Sequence, residues 1–224
     1  MLKTARASTP FTPRPRSLTA VSEARPTCYT CVRPLSHCVC GFIEPFTAHC
    51  NLLLLQHPHE RRKYCSTTKL VMNAIRNARM LRGVEFDENE IRSAIADSSR
   101  TYLLYPSSNA RPCETAHLDS DCTVIVIDGT WDEAQKIVYR NGFAHRFECL
   151  SFQQSFRSTY RIRKQPKDYC LSTLESIAYL LKLNAEANGL YAQSKIYDRL
   201  FDGFDRMVAQ QLEHQPLTRR LPEA

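Results

Sequence analysis

Hydrophobic positions along the chain follow two different periods, and each change of period marks an element. Asn51 to Gln56 is a short continuous apolar run, the pattern of a strand buried on both faces. From Ser66 the residues Leu70, Val71, Ala74, Ile75, Ala78 and Leu81 recur at steps of three and four, predicting a helix capped by Ser66 and closed by Gly83. A weaker helix is expected over Asp87 to Asp97, then strands over Thr101 to Tyr105 and Thr123 to Ile127. Thr130 and Glu133 match the capping-box pattern and start a helix reaching Arg140, ended by Gly142. Phe147 to Phe152 reads as a further strand. Ser172 and Glu175 form a second capping box, opening a helix through Ile177, Leu180, Leu181 and Leu183 to Gly189. A last amphipathic helix is expected from Tyr191 to Leu212, with Ile196, Leu200, Phe204, Val208 and Leu212 at four-residue steps. Strands separated by helices imply an α/β fold, a mostly parallel sheet flanked by helices.

At 224 residues and 43% hydrophobic, the chain has material for one catalytic-size domain plus a small appendage. No segment approaches the roughly 18 to 20 apolar residues that cross a bilayer, so no membrane partner is expected. Six glycines and no G-x-G-x-x-G or G-x-x-x-x-G-K-[ST] disfavour an ordinary dehydrogenase or a P-loop enzyme. The net charge of +7 is concentrated at the front, where residues 1 to 65 hold nine Lys/Arg against three Asp/Glu. That asymmetry suits a polyanion such as nucleic acid, and equally suits plain solubility. Residues 1 to 25 read as a disordered basic arm; the region lacking acids, with Lys3, Arg6, Arg14 and Arg16, overlaps in composition with an organellar transit peptide. Pro10, Pro13 and Pro15 oppose the helix such a peptide needs. Ten cysteines without an apolar signal segment suggest reduced thiols and a cytoplasmic protein.

Cys28, Cys31, Cys38 and Cys40 follow the spacing C-x2-C-x6-C-x-C, which converges four thiolates on one Zn2+ in a structural role; an iron–sulfur cluster is the alternative. A zinc module over 26 to 45, a catalytic domain over 46 to 214 and a polar tail over 215 to 224 follow as the expected layout. In an open parallel sheet, reactive groups gather where strands end and helices begin. Asp128-Gly129-Thr130-Trp131 falls at such a junction. Burial at the strand end suits Asp128 to proton transfer, against the plainer reading that it bonds nearby amides. Trp131 is expected to pack in the core, with stacking on a base as the alternative.

The blocks Cys28, Cys31, Arg33-Pro34, Cys38 and Cys40, then Gln56-His57-Pro58 with Glu60, then Tyr105-Pro106-Ser107, Asp128-Gly129-Thr130-Trp131 and Tyr160-Arg161 with Ser172 to Glu175 occur in that order. In them the chain resembles the DTW-domain family of tRNA-uridine aminocarboxypropyltransferases over about residues 25 to 188. The resemblance implies a SPOUT-like fold, often knotted in its C-terminal part, that binds S-adenosylmethionine (SAM) without a glycine-rich fingerprint. It implies transfer of the 3-amino-3-carboxypropyl group to N3 of a tRNA uridine, giving acp3U and methylthioadenosine. Asp128, Thr130 and Trp131 are then the expected catalytic residues, with Asp128 as base or orienter and Thr130 beside the ligand carboxylate.

Gln56, His57 and Pro58 would form a SAM-facing loop. Leu104, Tyr105 and Ser107 would border the adenosine pocket, and Ser172, Thr173 and Glu175 would touch SAM through a helix start. In the stretch from Phe156 to Lys164, Arg157, Tyr160, Arg161, Arg163 and Lys164 combine with Phe156 to interleave cations and aromatic rings in the manner of an RNA-binding segment, and Arg76 is added from the polar face of the helix expected after Ser66. The partner is tRNA, and no obligate protein partner is expected. A SPOUT-type RNA methyltransferase and a non-catalytic zinc-ribbon RNA-binding protein are the rival readings.

Overall fold

In the computed structural model, which describes residues 25–63, 65–95, 97–162 and 170–214, six strands form one all-parallel sheet. The strands are β1 (Asn51–Gln56), β2 (Ala78–Arg82), β3 (Arg100–Leu104), β4 (Arg111–Pro112), β5 (Cys122–Asp128) and β6 (Glu148–Ser151). Their order across the sheet is β2-β1-β5-β3-β6-β4. The helices are α1 (Thr67–Ala74), α2 (Glu88–Ala94), α3 (Trp131–Arg140), α4 (Phe143–Arg146), α5 (Thr173–Ala187), α6 (Tyr191–Tyr197) and α7 (Arg199–His214).

Side chains alternate across the sheet, so each strand feeds two cores. Leu52, Leu54, Val124 and Val126 pack with Leu70 of α1, Leu174 and Leu181 of α5 and Phe204 of α7. On the other face, Leu53, Leu55, Leu103 and Ile125 pack with Ile91 of α2, Ile137 and Val138 of α3 and Phe143 of α4. The run Leu52 to Leu55 is completely enclosed, each leucine contributing about 1.5–3 kcal/mol of hydrophobic stabilisation. This is the two-faced burial expected of a continuous apolar strand.

Two expected helices are corrected. The helix after Ser66 ends at Ala74, and Ala78–Arg82 pairs with β1 as an edge strand, Leu52 standing opposite Ala78. Asn77 makes the break: its side-chain NH2 donates to the carbonyls of Ala48 (3.0 Å) and Cys50 (2.9 Å), and its carbonyl accepts from the Ala48 amide (2.9 Å). Gly83 donates its amide to the Gln56 carbonyl, closing the strand rather than capping a helix. The final helix is divided at Asp198, where Tyr197 turns inward to meet His49 Nδ1 at 2.6 Å and Asp198 accepts from Lys182 at 2.7 Å. Both capping boxes form as expected, and Gly189, after α5, adopts a left-handed φ of 74° that favours glycine.

The N-terminal turns pack onto α7. Val39 is fully buried in the same core as Phe204, and a side chain at Gly203 would come within 2.8 Å of Ile43 Cγ1. Glycine in mid-helix thus permits the close approach of the cysteine-bearing segment. Among the described residues, no helix is long and apolar enough to cross a membrane. Arg163, Lys164, residues 1–24 of the expected basic arm and the expected polar tail over 215–224 lie outside the described residues.

Candidate active site

β1 and β5 lie side by side with Gln56 in register with Asp128, and Arg82 of β2 is in register with Gln56. This puts a polar row at the carboxyl end of the sheet. Arg82 Nε donates to Gln56 Oε1 at 2.9 Å, and Gln56 Nε2 donates to Asp128 Oδ2 at 2.8 Å. From α5, the Thr173 hydroxyl donates to Asp128 Oδ1 at 2.6 Å. Among the described residues, each carboxylate oxygen therefore has a donor. Asp128 is only 5% exposed, and these bonds compensate a charge that would otherwise be costly at such a site.

A cavity of about 350 Å³ opens at these strand ends, within the range of roughly 300–1,000 Å³ for small-molecule sites. Leu104 at the end of β3 and Tyr105 after it, Ile127 near the end of β5 and Gly129 after it, Phe152 and Phe156 after β6, and Thr173 and Ser176 of α5 line it. Thr173 is thus the link between the cavity wall and the carboxylate behind it. Burial and the nearby Cys149 thiol push the Tyr105 phenol above its ordinary value, leaving a neutral hydroxyl at the wall.

Trp131 also lines the cavity, its indole N–H donating to Cys170 Sγ at 3.1 Å. At 46% exposed it is not the core residue expected; its ring stands at the rim. Thr130 is held in its capping box, its amide donating to Glu133 Oε2 at 2.8 Å and its hydroxyl accepting from the Glu133 amide at 3.3 Å. His57 is buried beside Glu133, and Pro58 begins a short 3-10 turn that runs to Arg62.

Other expected residues stand elsewhere. Glu175 does not face the cavity: fully buried, it accepts from the Ser172 and Thr159 amides, both at 2.7 Å, and from the Ser158 hydroxyl at 2.9 Å. Its carboxylate anchors the 155–161 segment to the start of α5, and Ser172 is occupied in the same capping box. Tyr160 is buried with its hydroxyl on the Cys65 carbonyl at 2.6 Å, so its ring is not a surface for bases. Arg76 precedes β2, at the edge of the sheet opposite Asp128, because its helix had already ended. Ser107 is exposed beyond β3 and is absent from the cavity wall, while Arg157 and Arg161 are exposed next to the segment that carries Phe156. Phe156, the first ring of the expected aromatic and basic stretch, lines the cavity; Phe152 and Ser176 were not expected there, since they carry no chemical signature and reach it only through the strand order.

The four cysteines form a separate cluster. Cys28 Sγ lies 3.8 Å from Cys40 Sγ, and Cys31 Sγ lies 3.8 Å from Cys38 Sγ. A tetrahedron with metal–sulfur bonds of about 2.3 Å has edges of about 3.8 Å, so the group fits one ion. A multi-iron cluster would hold its sulfurs further apart. Amides of Cys31 and Thr30 bring the Cys28 thiol down to about 6, whereas burial pushes Cys40 up.

A four-cysteine cluster that could hold one ion, beside an α/β domain with its cavity at the ends of parallel strands, defines a class that the comparisons narrow. The DTW domain family matches residues 25–212, and the chain belongs to that family. It is 32% identical over 202 residues to tRNA-uridine aminocarboxypropyltransferase 2 of Macaca fascicularis, covering 86% of this chain and 66% of that protein. The Drosophila melanogaster protein of the same name is 32% identical over 162 residues, covering 69% of this chain and 64% of its own length. tRNA-uridine aminocarboxypropyltransferase A of Arabidopsis thaliana is 25% identical over 190 residues, covering 70% and 72%. The chain thus spans about 66% of the length of the first of these relatives.

Proposed function

We propose that this chain is a tRNA-uridine aminocarboxypropyltransferase that takes the 3-amino-3-carboxypropyl group from SAM and attaches it to uridine N3. The names of the relatives support the reaction, and the hydrogen bond from Thr173 to Asp128, at the wall of the strand-end cavity, carries the assignment of the site. SAM supplies an electrophilic methylene carbon next to a sulfonium. The cavity walls from Leu104 and Tyr105 to Phe156 hold the adenosine end and fix that carbon, rather than the methyl, in line with the nucleophile.

Uracil N3 carries a proton that must leave as the N3–carbon bond forms and the carbon–sulfur bond breaks. Thr173 accepts it and passes its own hydroxyl proton to Asp128, which Gln56 and Arg82 keep oriented. The sulfur keeps the electron pair of the broken bond and departs as neutral methylthioadenosine. Trp131 at the rim offers a face for the extruded base, and Arg157 and Arg161 offer charge for the tRNA backbone, joined in this reading by Arg163 and Lys164. Cys28, Cys31, Cys38 and Cys40 hold a structural Zn2+ that takes no part in transfer.

Mass analysis of nucleosides from unmodified tRNA treated with enzyme and SAM tests the reading. The expected product is a uridine enlarged by the amino-acid-bearing chain. A methyl adduct would make the protein a methyltransferase, and tRNA binding without any adduct would make it a non-catalytic binder.

A further inference from the structure

A second cluster of metal-binding side chains stands next to the strand-end site. β1 ends at Gln56, and His57 follows, its amide donating to the Asp128 carbonyl at 2.8 Å. This bond ties the start of the 57–59 turn to the end of β5. Glu133 rises from the first turn of α3, on the other side of Gly129. Gly129 makes the meeting feasible, because a Cβ there would lie 3.1 Å from Glu133 Cβ and 3.5 Å from His57 Cβ. The result is convergence on one oxygen: Glu133 Oε1 is 3.2 Å from His57 Nδ1 and 3.0 Å from His59 Nδ1. All three ligand atoms lie within 4.8 Å of one another.

Those separations have a specific meaning. For metal–ligand bonds of about 2.0–2.1 Å, adjacent ligands sit about 2.9 Å apart in an octahedron and about 3.4 Å apart in a tetrahedron. The two observed distances fall between these edges. The hydrogen bonding points the same way. His57 Nδ1 accepts the His59 amide at 3.4 Å, so it presents a lone pair, yet a carboxylate oxygen lies beside it. A lone pair and an anion at that distance repel unless a ring proton or a metal cation lies between them, and the converging second imidazole makes the metal ion our reading. Glu133 sits in the capping box of α3 with its carboxylate turned toward both histidines. Its second oxygen is occupied by the Thr130 amide, which leaves Oε1 for the ion. The positive end of α3 disfavours a cation there, and Glu133 with Asp132 in the same turn offsets it.

We propose that His57, His59 and Glu133 bind a divalent first-row transition ion, with Zn2+ as the natural occupant. Two imidazoles and one carboxylate are a borderline donor set that suits zinc, cobalt and nickel and leaves positions open to water or an external oxyanion. His59 is 78% exposed on its side chain and Glu133 is 14% exposed, so the ion is reachable from solvent. When bound, it cross-links the turn after β1 to the start of α3, on either side of Asp128. The site is distinct from the four-cysteine group in residues and donor chemistry.

The test compares bound zinc, by elemental analysis after equilibrium dialysis at neutral pH, in the full chain and in two variants. His59→Ala alters an exposed ring without touching the core, and Glu133→Gln keeps an amide oxygen and a side chain compatible with the capping box. The expected result is one zinc per chain fewer in each variant than in the unaltered protein, with affinity at the second site weakened at least roughly 100-fold. Co2+ provides an independent readout: the thiolate charge-transfer band stays unchanged in both variants, while the weaker ligand-field absorption of the second equivalent disappears. Equal zinc content in all three proteins overturns the proposal. So does loss of thiolate absorption in step with the missing zinc, since the variants would then have acted on the cysteine site.

Discussion

Asp128→Asn is expected to lower turnover by about 100-fold or more while leaving the protein folded. The amide has nearly the same size and can still accept one hydrogen bond, so the row from Arg82 through Gln56 keeps most of its geometry. What it loses is the capacity to take a proton. Thr173→Val should reproduce much of the loss, because it removes the hydroxyl between the cavity and the carboxylate while preserving side-chain shape. Steady-state kinetics with thermal melting of the same samples separate the cases. Near-normal turnover in Asp128→Asn would reduce Asp128 to a structural bond acceptor for Gln56 and Thr173.

Cys40→Ser is expected to release the ion held by the four cysteines and to lower Tm by on the order of 10 °C. Each kcal/mol moves Tm by roughly 2–4 °C in a domain of this size, and structural zinc contributes several kcal/mol to folding. Two local features lie beside that cysteine cluster. Val32 has a left-handed φ of 59°, unusual for a β-branched residue, in the turn between Cys31 and Arg33. Arg33 is only 2% exposed; its Nη2 faces the Met207 sulfur, while Nε and Nη1 have no hydrogen-bond partner among the described residues. Four thiolates around one divalent ion carry a net negative charge, which compensates a buried guanidinium that is otherwise expensive. Metal analysis and calorimetry on the same preparation check the claim, and an unchanged Tm in a metal-free variant would contradict it.

What could be read from the residues was local. The capping boxes at Thr130 and Ser172 involve partners three positions apart, and both form; the buried strand at Leu52 to Leu55 is a pure composition signal. The parallel sheet followed from alternation of strands and helices. The errors arose where one pattern served two structures. Ala78 and Leu81 extend the helical period of Leu70 and Ala74, yet Ala78–Arg82 is also a length that an edge strand accepts, and pairing with β1 decided between them. Arg76 was displaced from the expected RNA-binding surface for the same reason.

The site itself was legible only in part. Asp128 stands out in the sequence because a strand-to-helix junction is a local feature, but its bond to Thr173 joins residues 45 positions apart. Aromatic and basic residues interleaved over 156 to 161 do not reveal which side chains turn inward, and Tyr160 does. Likewise, Glu175 looks like a ligand contact until Ser158 and Thr159 are seen to occupy it. His57, His59 and Glu133 meet only because β1 and β5 are neighbours, so the spacing of a histidine pair from a glutamate more than seventy residues later carries no signal.

The most direct measurement of the central claim uses SAM carrying one isotope in its methyl group and another in its four-carbon amino-acid chain, with unmodified tRNA as acceptor. The account predicts that the chain label enters tRNA at uridine N3, that the methyl label leaves in methylthioadenosine, and that Asp128→Asn strongly slows the transfer. Methyl label in the tRNA, with the amino-acid chain left on the departing nucleoside, would contradict it.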